Sequence, residues 1–200
     1  MTRRSGVDVS RLPVLATGAQ APLWWGMLLL VTIETVVFGA FASSYFYLRF
    51  GAPEWPPAGI DPPDLLLPTV NTLVLVASGV AMHWADRGMD AGNVRRLQVG
   101  MAAATTLGVV FLVLKAVEYS DVDYRWDTNA YGSIVWAIVG FHSAHVASVL
   151  LKGVVVSVLA FRGHFTRERR LGVQVNGIYW QFVVLIWLPL YVVLYWVPRL

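Results

Sequence analysis

One carboxylate, Glu34, sits inside an apolar run that extends from Leu23 to Leu48, and two histidines, His142 and His145, sit three residues apart in another. An ionised carboxylate at hydrocarbon depth costs at least about 2.5–3.5 kcal/mol on insertion scales. Glu34 must therefore face protein or a water-filled cavity. Two roles stay open for it: a neutral acid that hydrogen-bonds a neighbouring helix, or a carboxyl tied to proton or lipid traffic. His142 and His145 share roughly one helix face. At 1.5 Å per residue Glu34 lies roughly 16 Å from one end of its run and His145 about 21 Å from the opposite end of its own, so the two reach similar depth. A Glu34–His145 pair is thus geometrically open, as is the alternative in which both histidines bond backbone or hydroxyl groups.

Metal and redox chemistry find little support in the residue types. The chain has no cysteine, which removes disulfides, thiolate metal sites and thiol nucleophiles. His83 and His164 do not match the depth of His142 or His145, so no facing pair for a transmembrane haem emerges. No Glu-x-x-His partner set for a di-iron centre is present either. No cofactor is expected on this chain alone. Two charged groups sit at run edges. Lys115, Glu118 and Tyr119 read as a snorkelling interfacial cluster. Arg162, His164, Arg167, Arg169 and Arg170 read either as an orientation signal or as a site for anionic lipid headgroups.

These residues must be positioned by membrane spans. Of 200 residues 57% are hydrophobic and only 14% charged, and mean hydropathy is +0.61. That balance points to an integral membrane protein. Five spans are predicted, at about 23–48, 65–85, 97–119, 131–161 and 174–197, giving an all-α bundle of five transmembrane helices. The expected organisation is a cytoplasmic segment 1–22 and a membrane domain 23–200. The apolar run after the N-terminal arginines is too long for a signal peptide. With the N-terminus inside, ten arginines (Arg3, Arg4, Arg11, Arg87, Arg95, Arg96, Arg162, Arg167, Arg169, Arg170) fall on the cytoplasmic side and three (Arg49, Arg125, Arg199) outside. This bias predicts N-in, C-out, and the basic balance then needs no nucleic-acid partner. Small residues recur every fourth position at Ala77/Ala81/Ala85, Gly100/Ala104/Gly108 and Gly140/Ala144/Ser148, ridges that allow close helix approach. The fifth span is bulky nearly throughout and is expected to show aromatic surface to lipid or another subunit. Pro189 should disturb it by removing the bond to the Leu185 carbonyl.

The motifs IETVVF, EWPPAGI, LPTVNTLVLVASGV, TLGVVFLVLKAVEY, YGSIVWAIVGFHSAHV, HFT and YWQFVVLIW stand in one order. Together they resemble subunit III of the haem–copper cytochrome c and quinol oxidases, over about residues 23–198. The usual form has seven helices, and this chain resembles the five-helix bacterial form that lacks the first two. The resemblance implies a non-catalytic subunit of a proton-pumping terminal oxidase in the bacterial plasma membrane. It implies packing against subunit I, with subunit II and other subunits in the complex, and haem and copper carried by those partners. It further implies bound structural phospholipid and support of proton uptake. Glu34 takes the place of the family's carbodiimide-reactive carboxylate, near His145. Family lipid contacts map onto Trp55 and Arg162.

One departure stands out. Where the family reads YWHFVD the chain reads YWQFVV, so Gln181 replaces a His and Val184 an Asp. This speaks against a proton or charged-partner role for the last helix. It also leaves open a second reading, a subunit-III-like accessory of a nitric oxide reductase or other respiratory complex. An independent transporter is disfavoured, because paired repeats and matching discontinuous helices are lacking.

Overall fold

The computed structural model describes residues 18–200. Arg3, Arg4 and Arg11, and most of the expected N-terminal segment, lie outside them. Five long helices follow one another: α1 (Pro22–Gly51), α2 (Leu66–Asp90), α3 (Val94–Ser120), α4 (Ala130–Phe161) and α5 (Leu171–Tyr191). Each is long and apolar enough to cross a membrane, and no strand occurs among the described residues. The helices extend a few residues past most of the apolar windows. The reason is that a helix ends at its cap, not where hydrophobicity ends. Pro22 opens α1 at a position that needs no N–H. The Asn93 side chain accepts the Arg96 N–H at 2.9 Å to start α3, and Asn129 accepts the Gly132 N–H at 2.8 Å to start α4. The α2–α3 turn is so tight that Gly92 adopts φ +73°, a conformation that favours glycine.

The chain runs up and down, so the α1–α2 and α3–α4 connections share one end. That end carries Glu54, Asp61, Asp64, Asp121, Asp123 and Asp127. The α2–α3 and α4–α5 connections share the other, arginine-rich end. The α2–α3 pair is the most tightly joined, and its ridges explain why. A Cβ on Gly100 would lie 2.6 Å from the Ala85 Cβ and 2.9 Å from the Ala81 carbonyl, so the two backbones approach closely only without one. Gly108 likewise makes room for Leu150 and Trp180. The third ridge behaves differently: Gly140, Ala144 and Ser148 are exposed, and nothing lies within 4 Å of a Cβ on Gly140.

The fifth span overturns its expectation. Most of its aromatic side chains point inward, with Trp180 and Trp187 among the fully buried residues and Tyr179 and Phe182 buried beside them, while Trp196 faces out. α5 packs on α1, α2 and α4 and forms the spine of the bundle, so bulk there fills the core instead of facing lipid or another subunit. Trp180 Nε1 donates to Ser78 Oγ at 3.2 Å and Trp187 Nε1 to Thr72 Oγ1 at 3.0 Å, which satisfies both indoles away from water. Past Pro189 the helix widens into a π-turn over Val192–Trp196. Tyr191 and Tyr195 stack at 5.3 Å, and Tyr191 bonds Thr69 Oγ1 at 2.6 Å.

Candidate functional site at the α1–α4–α5 seam

α1 packs mainly on α4 and α5 and brings Glu34 to His145, with Oε2 and Nε2 3.0 Å apart. Phe38 and Phe141 wall the pair, their ring centroids 5.2 and 4.5 Å from the imidazole. The side chains are 19% and 10% exposed, so the pair sits at the edge of the protein interior. His145 Nδ1 lies 2.7 Å from the Phe141 carbonyl, an acceptor only, so Nδ1 carries a hydrogen. Two proton arrangements then satisfy the contact. Either a neutral Glu34 donates to a bare Nε2, or an imidazolium Nε2–H donates to the carboxylate. Both place one hydrogen between the groups, and moving it across 3.0 Å separates or cancels charge without any side chain shifting. Such a pair can hold and exchange a proton at hydrocarbon depth, where an isolated carboxylate is costly.

His142 joins a different neighbour. Its Nε2 donates to the Val183 carbonyl at 3.0 Å, its ring stacks on Trp187 at 4.5 Å, and its Nδ1 is buried without a partner. Residues three apart point about 60° from one another around the helix, enough to turn His142 toward α5 while His145 meets α1.

The cluster read as snorkelling is in fact enclosed. Lys115 is 3% exposed. Its Nζ donates to Glu118 Oε2 at 2.7 Å and to the Tyr195 hydroxyl at 3.0 Å, and Tyr195 in turn donates to Glu118 Oε1. The ammonium also lies 4.7 Å from the Trp187 ring centre. The sequence shows Lys115 and Glu118 one turn apart, but the third member, Tyr195, comes from 80 residues away and carries no local signal.

Trp55 packs edge-on between Tyr45 and Tyr131, at 5.4 and 5.0 Å, at the acidic end. Arg162 is exposed just after α4, at the arginine-rich end. The two residues therefore cannot grip one headgroup. The departures in α5 have a packing role: Gln181 Nε2 donates to the Gly79 carbonyl at 2.7 Å, and Val184 fills the space beside the missing Gly79 side chain. Among the described residues no three His, Asp or Glu side chains come close enough to share a metal ion. Three of the four ring nitrogens of His142 and His145 bond Val183, Phe141 and Glu34, and only His142 Nδ1 is left over, one fewer than an axial haem pair needs.

Comparison with known proteins agrees with this architecture. The sequence model of cytochrome c oxidase subunit III matches residues 14–198. The chain is 35% identical to cytochrome c oxidase subunit 3 of Oryctolagus cuniculus over 183 residues, covering 88% of this chain and 70% of that one. It is 34% identical to the Equus caballus protein over the same shares. The Hippopotamus amphibius protein is 33% identical over 200 residues, 97% of this chain and 75% of that one. A match over nearly the whole length, carried on five membrane-length helices, makes this multi-pass chain a member of the cytochrome c oxidase subunit III family.

Proposed function

We propose that this chain is a non-catalytic support for oxidase subunit I, which holds phospholipid against the bundle and keeps the cytoplasmic proton entrance supplied during turnover. The observation that carries the reading is the 3.0 Å contact of Glu34 with His145. It is a part-buried acid–base pair at the only part of α1 that touches α4 by hydrogen bonding among the described residues. Among the described residues no three His, Asp or Glu side chains gather around it, which supports proton holding beside another subunit's reaction. Haem and copper then belong to the partner subunits, with subunit I the main contact and subunit II also in the complex. The arginine bias supports an orientation with the arginine-rich end in the cytoplasm. The five-helix form supports a bacterial plasma membrane as the location. Trp55 and Arg162 serve lipids of opposite leaflets in this arrangement, one at each end of the bundle.

The test is the Glu34→Gln variant in the purified oxidase. The initial rate of oxygen reduction should stay near that of the parent, while the number of turnovers before inactivation should change several-fold. Loss of the chain from the purified complex would overturn a functional carboxyl and leave a structural one. Optical spectra of the co-purifying partner check the complex itself: haem–copper bands support the reading, and a non-haem iron partner overturns it.

A further inference from the structure

Two titratable side chains of α2 take no part in the pair at Glu34. His83 and Asp86, one turn apart, line a recess of about 400 Å³ with Met82 and Gln181, and Val31 of α1 lines it as well. Counted from the end of α2 at Asp90, Asp86 lies about 6 Å and His83 about 10 Å inside. Gln181 donates to the Gly79 carbonyl, about 16 Å inside the same end and close to the depth of Glu34. Asp86 is half-buried and His83 exposed, and neither is ion-paired among the described residues. Asp86 lies over Gly177 of α5, where a Cβ would sit 3.6 Å from its Oδ2. The neighbouring charges are engaged or turned away. Arg170 holds Asp90, Arg96 donates to the Trp84 carbonyl, and Arg87 is exposed. α5 brings no charge to the recess, and α1 brings only Val31, with Glu34 one turn further on.

We propose that Asp86 and His83 are a proton relay, which carries protons from water at the arginine-rich end along the α2–α5 seam to the depth of Glu34. An ionisable group at hydrocarbon depth faces protein or a water-filled cavity, and chains of Asp, Glu and His are the makings of a relay. A recess of this volume with Asp86, His83 and Gln181 at successive depths is roomy and polar enough to hold water. The transfers balance without electrons. A hydronium gives its proton to the Asp86 carboxylate, and the acid passes it to the His83 imidazole. The imidazolium releases it to water in the recess, and that water replaces the hydrogen shared by Glu34 and His145. Asp86 and His83 end as they began. Val31 is three residues from Glu34, so the last step covers about one turn of α1. The groove between α1 and α4 does not serve. Met27, Leu151 and Val155 line it, and its one titratable group is Lys152, whose ammonium repels an incoming proton. The relay rests on the proton-holding role proposed for Glu34 and names the side chains that feed it.

The experiment uses the intact purified oxidase, moved rapidly into heavy water and followed by infrared spectroscopy. The hydrogen shared by Glu34 and His145 reads as a carboxyl band when it sits on the acid and as an imidazolium N–H band when it sits on His145. Both bands shift on deuteration, and Glu34→Gln identifies them by their loss. Asp86→Asn and His83→Ala should each slow that shift by on the order of a hundredfold, and the double variant should be no slower than the slower single one. Added imidazole should restore part of the rate in His83→Ala, a rescue that a merely structural role would not show. Unchanged exchange in both variants, with the chain retained in the complex, overturns the relay. A second measurement leaves the relay residues alone. The chain has no cysteine, so Val31→Cys adds its one thiol, and a small water-soluble thiol reagent should add its mass to this chain. A thiol at 31 that stays unmodified in the intact complex shows a dry recess and overturns the relay. The two readings fail separately. Unchanged turnover-linked inactivation in Glu34→Gln removes the role given to Glu34, while slowed exchange in Asp86→Asn keeps the route.

Discussion

The bundle holds two intramembrane charge clusters built from similar residues, and they are finished differently. At the acidic end Lys115, Glu118 and Tyr195 close on one another, with Lys115 3% exposed and aromatic rings around the ammonium. At the α1–α4–α5 seam Glu34 and His145 meet at 3.0 Å but stay partly open, and Lys152 nearby has a ring beneath it and no carboxylate. The first cluster is complete within the chain, so its energy goes into holding α3 to α5. The second is complete only if something outside the chain finishes it. Burial and satisfaction together, more than residue type, separate a staple from a site.

Breaking the closed cluster should have the largest effect. Lys115→Met leaves Glu118 buried without its counter-charge, and losing one partner of a buried pair costs about 3–5 kcal/mol. Thermal unfolding of the purified complex should show the loss, and Glu118→Gln combined with Lys115→Met should recover part of it. An unchanged unfolding temperature would mean that the cluster is no staple.

Next comes the close α2–α3 contact at the other end of the bundle. Gly100→Ala pushes a methyl to 2.6 Å from the Ala85 Cβ and 2.9 Å from the Ala81 carbonyl, and overpacking of this kind costs about 1–3 kcal/mol. Gly140→Ala, on the outward ridge, meets no atom within 4 Å and should leave the isolated chain's unfolding midpoint where it is. Equal losses at both glycines would erase the distinction between inner and outer ridges.

The open cluster should barely register in stability. Gln at position 34 can still donate to the bare Nε2 of His145, so Glu34→Gln should change unfolding by less than about 1 kcal/mol while it alters turnover-linked inactivation. A loss as large as that at Lys115 would make Glu34 a second staple.

The smallest effect is expected in the connection near the closed cluster. Burial pushes the Tyr124 hydroxyl up to about 12. A raised value favours the neutral form in the folded state, so its stabilisation is intact below pH 10 and is lost as pH climbs from 10 toward 12. Tyr124→Phe should flatten that alkaline loss in a pH series of melting curves; an unchanged slope would place the titration elsewhere.

Much of this arrangement was legible in the residues. The membrane-length apolar runs gave the five helices, since in lipid each span must satisfy its own backbone. Depth counting put Glu34 and His145 at one level, because helical rise is fixed at 1.5 Å per residue. The same arithmetic could not say which way a helix face turns. The bulk of the fifth span pointed to aromatics facing lipid or another subunit, where the structure buries Trp180 and Trp187. It left Lys115 at an interface, where Tyr195 from a distant turn encloses it.

Composition and spacing alone thus determine that the chain crosses a membrane five times and which side chains share a depth, because both follow from local geometry and transfer energy. Rotation of each helix about its axis is decided by tertiary packing, where Gly100 and Gly108 admit neighbours and α5 fills the centre. That rotation is what seals Lys115 inside the chain and leaves Lys152 facing a groove, a difference no single helix encodes.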